Sequence, residues 1–317
     1  MAVIASAPGK VILFGEHAVV YGEPSLAGAI DKRVYVKAEE NSDRKIRIIS
    51  GDYSEIVEFS NLKPEGRFRY VKKAVELVFN KANETRGVNI IIKSQLPPAS
   101  GLGSSAAVSV ATIASLSKLL GITLEKKEIA KLGHRVELEV QGAASPTDTL
   151  TSTFGGVLFI EPAKKRHTNI AFSELPLVIG YTADPRSTAE LVKSVRERRE
   201  RHPEIIDSII AQIGNITRKA RHFLEEENLE GIGELMDINH GLLEALGVST
   251  EKLSRLVYAS RNAGARGAKL TGAGGGGCMI AYTPENEEEV IKAIAKEGCE
   301  AFKAPITREG VRIEKQV

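Results

Sequence analysis

Apolar and polar positions recur along the chain with two distinct periods, and the period separates strands from helices. Val3–Ala5 and Val11–Phe14 are apolar, strand-like runs with an Ala-Pro-Gly interruption between them. Val34–Glu39 and Lys45–Ile49 alternate as half-buried strands do. Phe68–Lys81 places Val71, Val75 and Val78 on one face and predicts a helix, and Val88–Ser94 returns to alternation through Ile90 and Ile92. After a loop over Pro97–Gly103, Ser104–Leu120 predicts an apolar helix of small residues that ends at Gly121. Leu124–Gln141 predicts another, with Ile129, Leu132, Val136 and Val140 as its stripe. Gly155–Glu161 predicts a strand and Lys164–His167 a basic turn after it.

A second half begins near Leu175. Pro176–Thr182 predicts a strand, followed by helices over Ser187–Arg201, Glu204–Glu226, Leu229–Leu246 and Thr250–Ala263. A strand at Ala268–Leu270, a glycine loop, a strand at Cys278–Tyr282, a helix at Glu285–Lys296 and a last strand region beyond Cys299 complete the pattern. Strands and helices mix without strict alternation, so the expected class is α+β, in two domains over 1–174 and 175–317 with a cleft between them.

At 317 residues the chain is long enough for two domains and for a core that needs no metal or disulfide staple. Lys and Arg number 43 against 41 Asp and Glu, a balance that gives no global reason to expect a nucleic-acid or membrane-surface partner. Lys10, Lys32 and Lys118 interrupt the best candidate membrane spans. The first ten residues lack the basic start of a signal peptide, and Cys278 and Cys299 make neither a disulfide framework nor a metal knuckle, so a cytoplasmic location is expected.

Candidate chemistry gathers in four segments. The first is Pro97, Pro98, Ala99, Ser100, Gly101, Leu102, Gly103, Ser104, Ser105, Ala106 and Ala107, where a strand ends, prolines stiffen the entry and a helix follows at once. The first amides of that helix lack intrahelical partners and carry the positive end of its dipole, so the segment suits an anion such as phosphate. It lacks the Gly-Lys-Ser/Thr of a Walker A loop. The second is Lys269–Cys278, in which five of the six residues 272–277 are glycine; between two apolar strands this suits close backbone approach to a ligand or to another loop. The third is Ala7–Gly22, with Lys10 inside an apolar run and Glu16-His17 ahead of another. The fourth is Ser145–Gly156, where Asp148 stands among hydroxyl residues in a turn between a helix and a strand. Glu137 and Glu139 flank the apolar stripe of the preceding helix on opposite sides, and periodicity does not choose between them as a metal ligand. Neither a GxSxG elbow nor an HExxH pair is present to support a hydrolase.

Taken in order, Pro8–Gly22, Pro97–Ala107 and Lys269–Cys278 resemble the three motifs of the small-molecule kinase superfamily that includes galactokinase, homoserine kinase, mevalonate kinase and phosphomevalonate kinase. The run SAPGKVILFGEHAVVYG and the segment Ala183–Val192 are most similar to the mevalonate kinase branch, and the resemblance covers nearly the whole chain. It implies a two-domain α+β fold, with a left-handed βαβ crossover in the N-terminal domain, a ferredoxin-like C-terminal domain and the active site in the cleft between them. ATP would lie with its phosphates on Pro97–Ala107, supported by the third motif. Asp148 would match the family's catalytic aspartate and Lys10 its partner lysine. Mg²⁺ would sit on Ser105 and Glu137, the latter selected over Glu139 because it precedes Asp148 by the family's interval of eleven residues. Glu16, His17, Arg186 and Thr188 would face the substrate. The implied activity is ATP-dependent phosphorylation of the C5 hydroxyl of mevalonate by a cytoplasmic homodimer. Phosphomevalonate kinase or another kinase of the superfamily is the alternative enzyme, and a non-catalytic homologue sensing a nucleotide or small molecule the alternative of another class. The chain departs from the usual pattern in carrying Pro146-Thr147 before the aspartate, and it is shorter than animal mevalonate kinases.

Overall fold

The computed structural model describes residues 1–142, 144–172, 174–184 and 187–316, with Asn61 described by its backbone alone. Chain order runs β1 (Ala2–Phe14), β2 (Ser25–Glu40), β3 (Ile46–Ser50), β4 (Tyr53–Val57), α1 (Arg69–Ala82), β5 (Val88–Ser94), α2 (Ser104–Leu119), α3 (Lys126–Gln141), α4 (Thr147–Phe154), β6 (Val157–Glu161) and β7 (Arg166–Ile170). It continues with β8 (Leu177–Tyr181), α5 (Thr188–Arg201), α6 (Pro203–Glu225), α7 (Leu229–Ala245), α8 (Glu251–Asn262), β9 (Gly267–Leu270), β10 (Cys278–Tyr282), α9 (Glu287–Lys296), β11 (Glu300–Lys303) and β12 (Arg312–Gln316).

Two sheets organise these elements. The larger follows the path β12-β1-β2-β5-β3-β4, with β6 paired to β2 and β7 to β6. Within it β3 and β5 run parallel, joined by a crossover through β4 and α1. The smaller is antiparallel throughout, in the order β11-β8-β10-β9. Counted along the chain that order is fourth-first-third-second, with α5–α8 between its first two strands and α9 between its last two, a ferredoxin-like arrangement. The α+β expectation and its ferredoxin-like half are thus met. Against the larger sheet lies α2, in contact with β1 and β2 and bordered by α1, α3 and α4. Its small residues are buried on nearly every side, as a central helix requires.

Three local expectations change. The two runs at the start are one strand: Pro8 lies just beyond the last β12 partner, Ser6–Arg312, and the register against β2 shifts between Pro8 and Gly9. Proline is tolerated where the ladder is already interrupted. The expected basic turn at Lys164–His167 is a single short turn over Pro162–Lys164, after which β7 begins. The last strand region is two strands in two different sheets: β11 completes the smaller one and β12 crosses back to pair with β1. Buried Arg33 pins that return, donating from Nη2 to the Gly310 carbonyl at 2.7 Å and from Nε to Ser6 Oγ at 2.7 Å.

Candidate active site

The segment Pro97–Ala107 turns from β5 into α2 as the sequence predicts. Gly103 is the residue ahead of the helix, with φ 74°, and no side chain caps the first turn. The leading amides of α2 are therefore left for another acceptor, in a place where the helix dipole favours negative charge. Ser104 and Ser105 are half-buried at this end, while Leu102, Ala106 and Ala107 are buried and anchor the turn to the core. Ser100 Oγ donates to the Pro97 carbonyl at 2.9 Å, closing the approach to the turn. Pro98 and Ala99 are exposed, and Ala99 has φ 52°, a left-handed conformation uncommon for a residue with a side chain.

Lys10 comes to this turn from β1. Its amide donates to the Leu102 carbonyl at 2.8 Å, and its buried side chain ends 3.2 Å from Asp148 Oδ1. Asp148 is not in a turn, as the sequence suggested, but in the first turn of α4. Two of its hydroxyl side chains are satisfied by the helix's own carbonyls: Thr151 Oγ1 donates to Thr147 O at 2.8 Å and Thr149 Oγ1 to Pro146 O at 3.2 Å. The Asp148 side chain is 31% exposed against 5% for Lys10, so the carboxylate faces the open side of the pair.

Glu137 and Glu139 go to different places. Glu139 is half-exposed and pairs with Lys73 and Arg135, each at 2.5 Å. Glu137 is buried on α3 and accepts from Ser105 Oγ at 3.3 Å. It reaches the site because Gly133, one turn earlier, lets α3 approach α4: a Cβ there would stand 3.3 Å from Thr149 Cγ2. Burial, and then the neighbouring charge of Asp148, push the Glu137 carboxyl up to about 8, against the opposing pull of the Ser105 hydrogen bond and Lys10. A buried carboxylate held beside a second carboxylate, with a hydroxyl at hand, is a setting that a divalent cation would relieve. Among the described residues no cluster of three or more His, Cys, Asp or Glu side chains forms a closed metal cage. One or two protein oxygens, completed by phosphates and water, is the donor set Mg²⁺ commonly takes, so the residues present fit that ion.

The first and third motifs meet each other. Glu16 was expected to face the substrate, but its side chain has no exposed surface: Lys269 occupies one carboxylate oxygen and Asn239 the other. A buried carboxylate takes a cation and a donor before it can offer itself to a ligand, so Glu16 stands behind the site. His17 has φ 60°, and its Nε2 lies 2.8 Å from the Ala273 carbonyl. Burial lowers the His17 pKa, so the ring is neutral and donates through Nε2 to that carbonyl. The glycine loop approaches another backbone segment closely, as expected: a Cβ on Gly274 would fall 2.0 Å from the Val248 carbonyl oxygen, and the Gly275 amide donates to that carbonyl at 2.8 Å. Thr188 is exposed at the start of α5, whose cap is Ser187. Arg186 lies outside the described residues.

Three further residues complete the picture. Tyr181, at the end of β8, donates its hydroxyl to the Pro98 carbonyl at 2.6 Å and so ties the smaller sheet to the phosphate turn. Lys269 and Thr271 tie the third motif to the first. Lys269 carried the signal that marked Lys10, a lone lysine in an apolar strand. Nothing in sequence marked Tyr181.

Two family profiles match the chain: GHMP kinases N terminal domain over residues 69–156 and GHMP kinases C terminal over residues 220–301. The mevalonate kinase of Pyrococcus abyssi is 51% identical, with 98% of each chain covered. The chain belongs to the mevalonate kinase family of GHMP kinases. Among solved structures, the Methanococcus jannaschii mevalonate kinase superposes with a TM-score of 0.87 at 35% identity, covering 97% of this chain and 99% of that one. The L. major mevalonate kinase, solved in complex with R-mevalonate, superposes with a TM-score of 0.84 at 27% identity, covering 96% of each chain. Lys10 and Asp148 meet beside the turn into α2, and Glu137 reaches Ser105 at the start of that helix. Among the described residues no helix is long and apolar enough to cross a membrane.

Proposed function

We propose that this enzyme transfers the γ-phosphoryl group of ATP to the C5 hydroxyl of mevalonate, giving ADP and 5-phosphomevalonate for isoprenoid synthesis. The observation that carries the chemistry is the Lys10–Asp148 pair, 3.2 Å apart at the mouth of the phosphate turn. Substrate identity is supported by relatives of about half identity along the full chain that bear the mevalonate kinase name. The alternative of a sensing homologue is disfavoured by the same pair, since a binding protein has no use for an acid and a lysine set against each other beside Glu137.

Phosphoryl transfer depends mainly on position and on charge neutralisation. The uncapped amides of α2 would receive phosphate oxygens. Asp148 would hold the C5 hydroxyl in line and accept its proton as the new O–P bond forms and the bond to ADP breaks. Lys10 would favour the alkoxide character of the attacking oxygen. Glu137 and Ser105 would hold Mg²⁺, which when bound offsets phosphate charge. On the acceptor side, His17, Arg186 and Thr188 would contact the carboxylate and hydroxyl groups, with Val19 and Val20 as apolar wall.

Phosphomevalonate would bring a further dianion and call for a second basic cluster. The densest candidate, Arg196–Arg201, is mostly exposed on α5, with Arg199 paired to Asp207. An ADP-release assay across mevalonate, phosphomevalonate, galactose and homoserine tests the assignment. Mevalonate should lead by about a hundredfold in kcat/KM, on the order of 3 kcal/mol. Preferred turnover of phosphomevalonate would overturn the substrate and leave the family standing. The same reading makes the enzyme a cytoplasmic homodimer, which sedimentation at working concentration tests.

A further inference from the structure

Behind the acceptor side lies an ion pair that the proposed chemistry does not use. Lys269 on β9 and Glu16 have no exposed side-chain surface, and Lys269 Nζ donates to Glu16 Oε1. Nζ also donates to the Leu270 carbonyl at 2.7 Å, and Asn239 Nδ2, on α7, donates to Glu16 Oε2 at 3.1 Å. Charges taken wholly out of water are costly, and apolar side chains of similar volume commonly hold a core as well or better.

What surrounds the pair gives it a task. Thr271, two residues beyond Lys269, accepts from the Ile12 amide at 2.9 Å and donates to the Ile12 carbonyl at 3.0 Å. His17, next to Glu16, is held at φ 60° with its ring 2.8 Å from the Ala273 carbonyl. A histidine stays in that region only where its surroundings over-determine it. Residues 269, 271 and 273 thus grip 16, 12 and 17, and the charged contact is the one adjacent to the strained residue.

We infer that Lys269 is a positioning residue of the acceptor site: through Glu16 it fixes the turn that presents His17, and so sets acceptor affinity without touching substrate. This rests on the proposed acceptor role of His17. The register of the grip explains why a lysine is needed. Thr271 secures the strand at Ile12, but the chain leaves β1 after Phe14, and Glu16 is the next side chain tied to β9. Beyond that tie the His17 turn is held by its ring contact, by Asn239 on Glu16 and by its own backbone hydrogen bonds, all of them uncharged on the donor side.

The test compares wild type with two neutral versions of the pair, Glu16→Gln with Lys269→Met and Glu16→Leu with Lys269→Met, each also combined with His17→Ala. Steady-state kinetics are read for mevalonate and ATP separately, alongside thermal melting. A cooperatively melting neutral version should show a mevalonate KM raised about tenfold with the ATP KM within about twofold. Adding His17→Ala to it should raise the mevalonate KM no further, because the pair acts through that residue. An unchanged mevalonate KM, an equal rise in both KM values, full additivity with His17→Ala, or loss of cooperative melting in both neutral versions would each overturn the assignment and leave a purely structural pair. Failure of wild type to phosphorylate mevalonate would instead remove the substrate reading, and the same comparison would then be made with whichever acceptor of the panel is turned over.

Discussion

A Cβ on Gly103 would stand 2.8 Å from Cγ of Lys10, so the lysine reaches Asp148 only because residue 103 has no side chain. With φ 74° as well, the position is closed to other residues on two grounds. Gly103→Ala should fold, with a stability loss of about 1–2 kcal/mol for the left-handed backbone. Its kcat should fall by about a hundredfold as Lys10 is displaced. Undiminished turnover would show that the Lys10 position is not critical.

Asp148→Ala and Lys10→Met should each leave ATP binding largely intact and lower kcat by about a thousandfold or more, the pattern of groups that act mainly in the transition state. Nucleotide affinity by calorimetry and turnover by ADP release separate the two effects. Near-normal turnover of Asp148→Ala would take it out of the mechanism.

Metal dependence distinguishes the two glutamates. Glu137→Gln should raise the Mg²⁺ concentration for half-maximal rate by about tenfold or more, whereas Glu139→Gln, which loses only surface pairs with Lys73 and Arg135, should shift it little. Like behaviour of the two variants would remove Glu137 as a ligand.

Tyr181→Phe removes one hydroxyl and with it the hydrogen bond to Pro98. The ATP KM should rise by about three- to tenfold, the worth of one such bond, while the mevalonate KM stays put. An unchanged ATP KM would mean that the prolines and Ser100 position the turn unaided.

His240 predicts how stability depends on pH. It is buried on α7, with Nδ1 accepting from the Leu270 amide at 3.4 Å. Burial lowers its pKa to about 4, helped by Arg261 and Lys269 and opposed by Glu244. Between that value and its ordinary 6.5 the unfolded chain binds a proton that the folded chain refuses, so stability rises with pH across this window. The contribution is fully present above about pH 6.5 and is lost as pH falls toward 4. His240→Gln keeps an acceptor for Leu270 without the titration. Its Tm should fall by a few degrees less than that of wild type between pH 7 and 5. Parallel melting curves would contradict the shift.

Legibility in sequence followed the range of the interactions. The turn from β5 into α2 was readable because its parts are consecutive: Pro97 and Pro98, two glycines and a helix start carry their meaning locally. The period of α3 placed Glu137 and Glu139 without choosing between them, because the choice is made by Gly133 packing against Thr149 on another helix. Asp148 was expected in a turn because hydroxyl residues favour turns; it lies instead in α4, where the Thr149 and Thr151 hydroxyls bond to carbonyls of the preceding turn. Glu16 was misplaced at the substrate because its partner is 253 residues away, and no local pattern announces such a pairing. A last strand region was expected after Cys299, but which sheet each part joins depends on contacts with Arg33 and with β1, distant in sequence.

The return of β12 to β1 has a consequence for how the molecule assembles. Everything from β8 to β11 lies, along the chain, between two strands of the same sheet, so the smaller domain is an insertion into the larger. A chain growing on the ribosome can complete the four-stranded sheet while β1 still lacks one neighbour, because β12 follows that sheet along the chain. The edge of β1 from Val3 to Ser6 stays open until β12 has been made. An open strand edge can recruit other chains. Pairing across nearly the whole length of the chain is also the kind that slows a folding reaction most. Closure of this edge is therefore the step at which the nascent enzyme is most exposed to association with its neighbours.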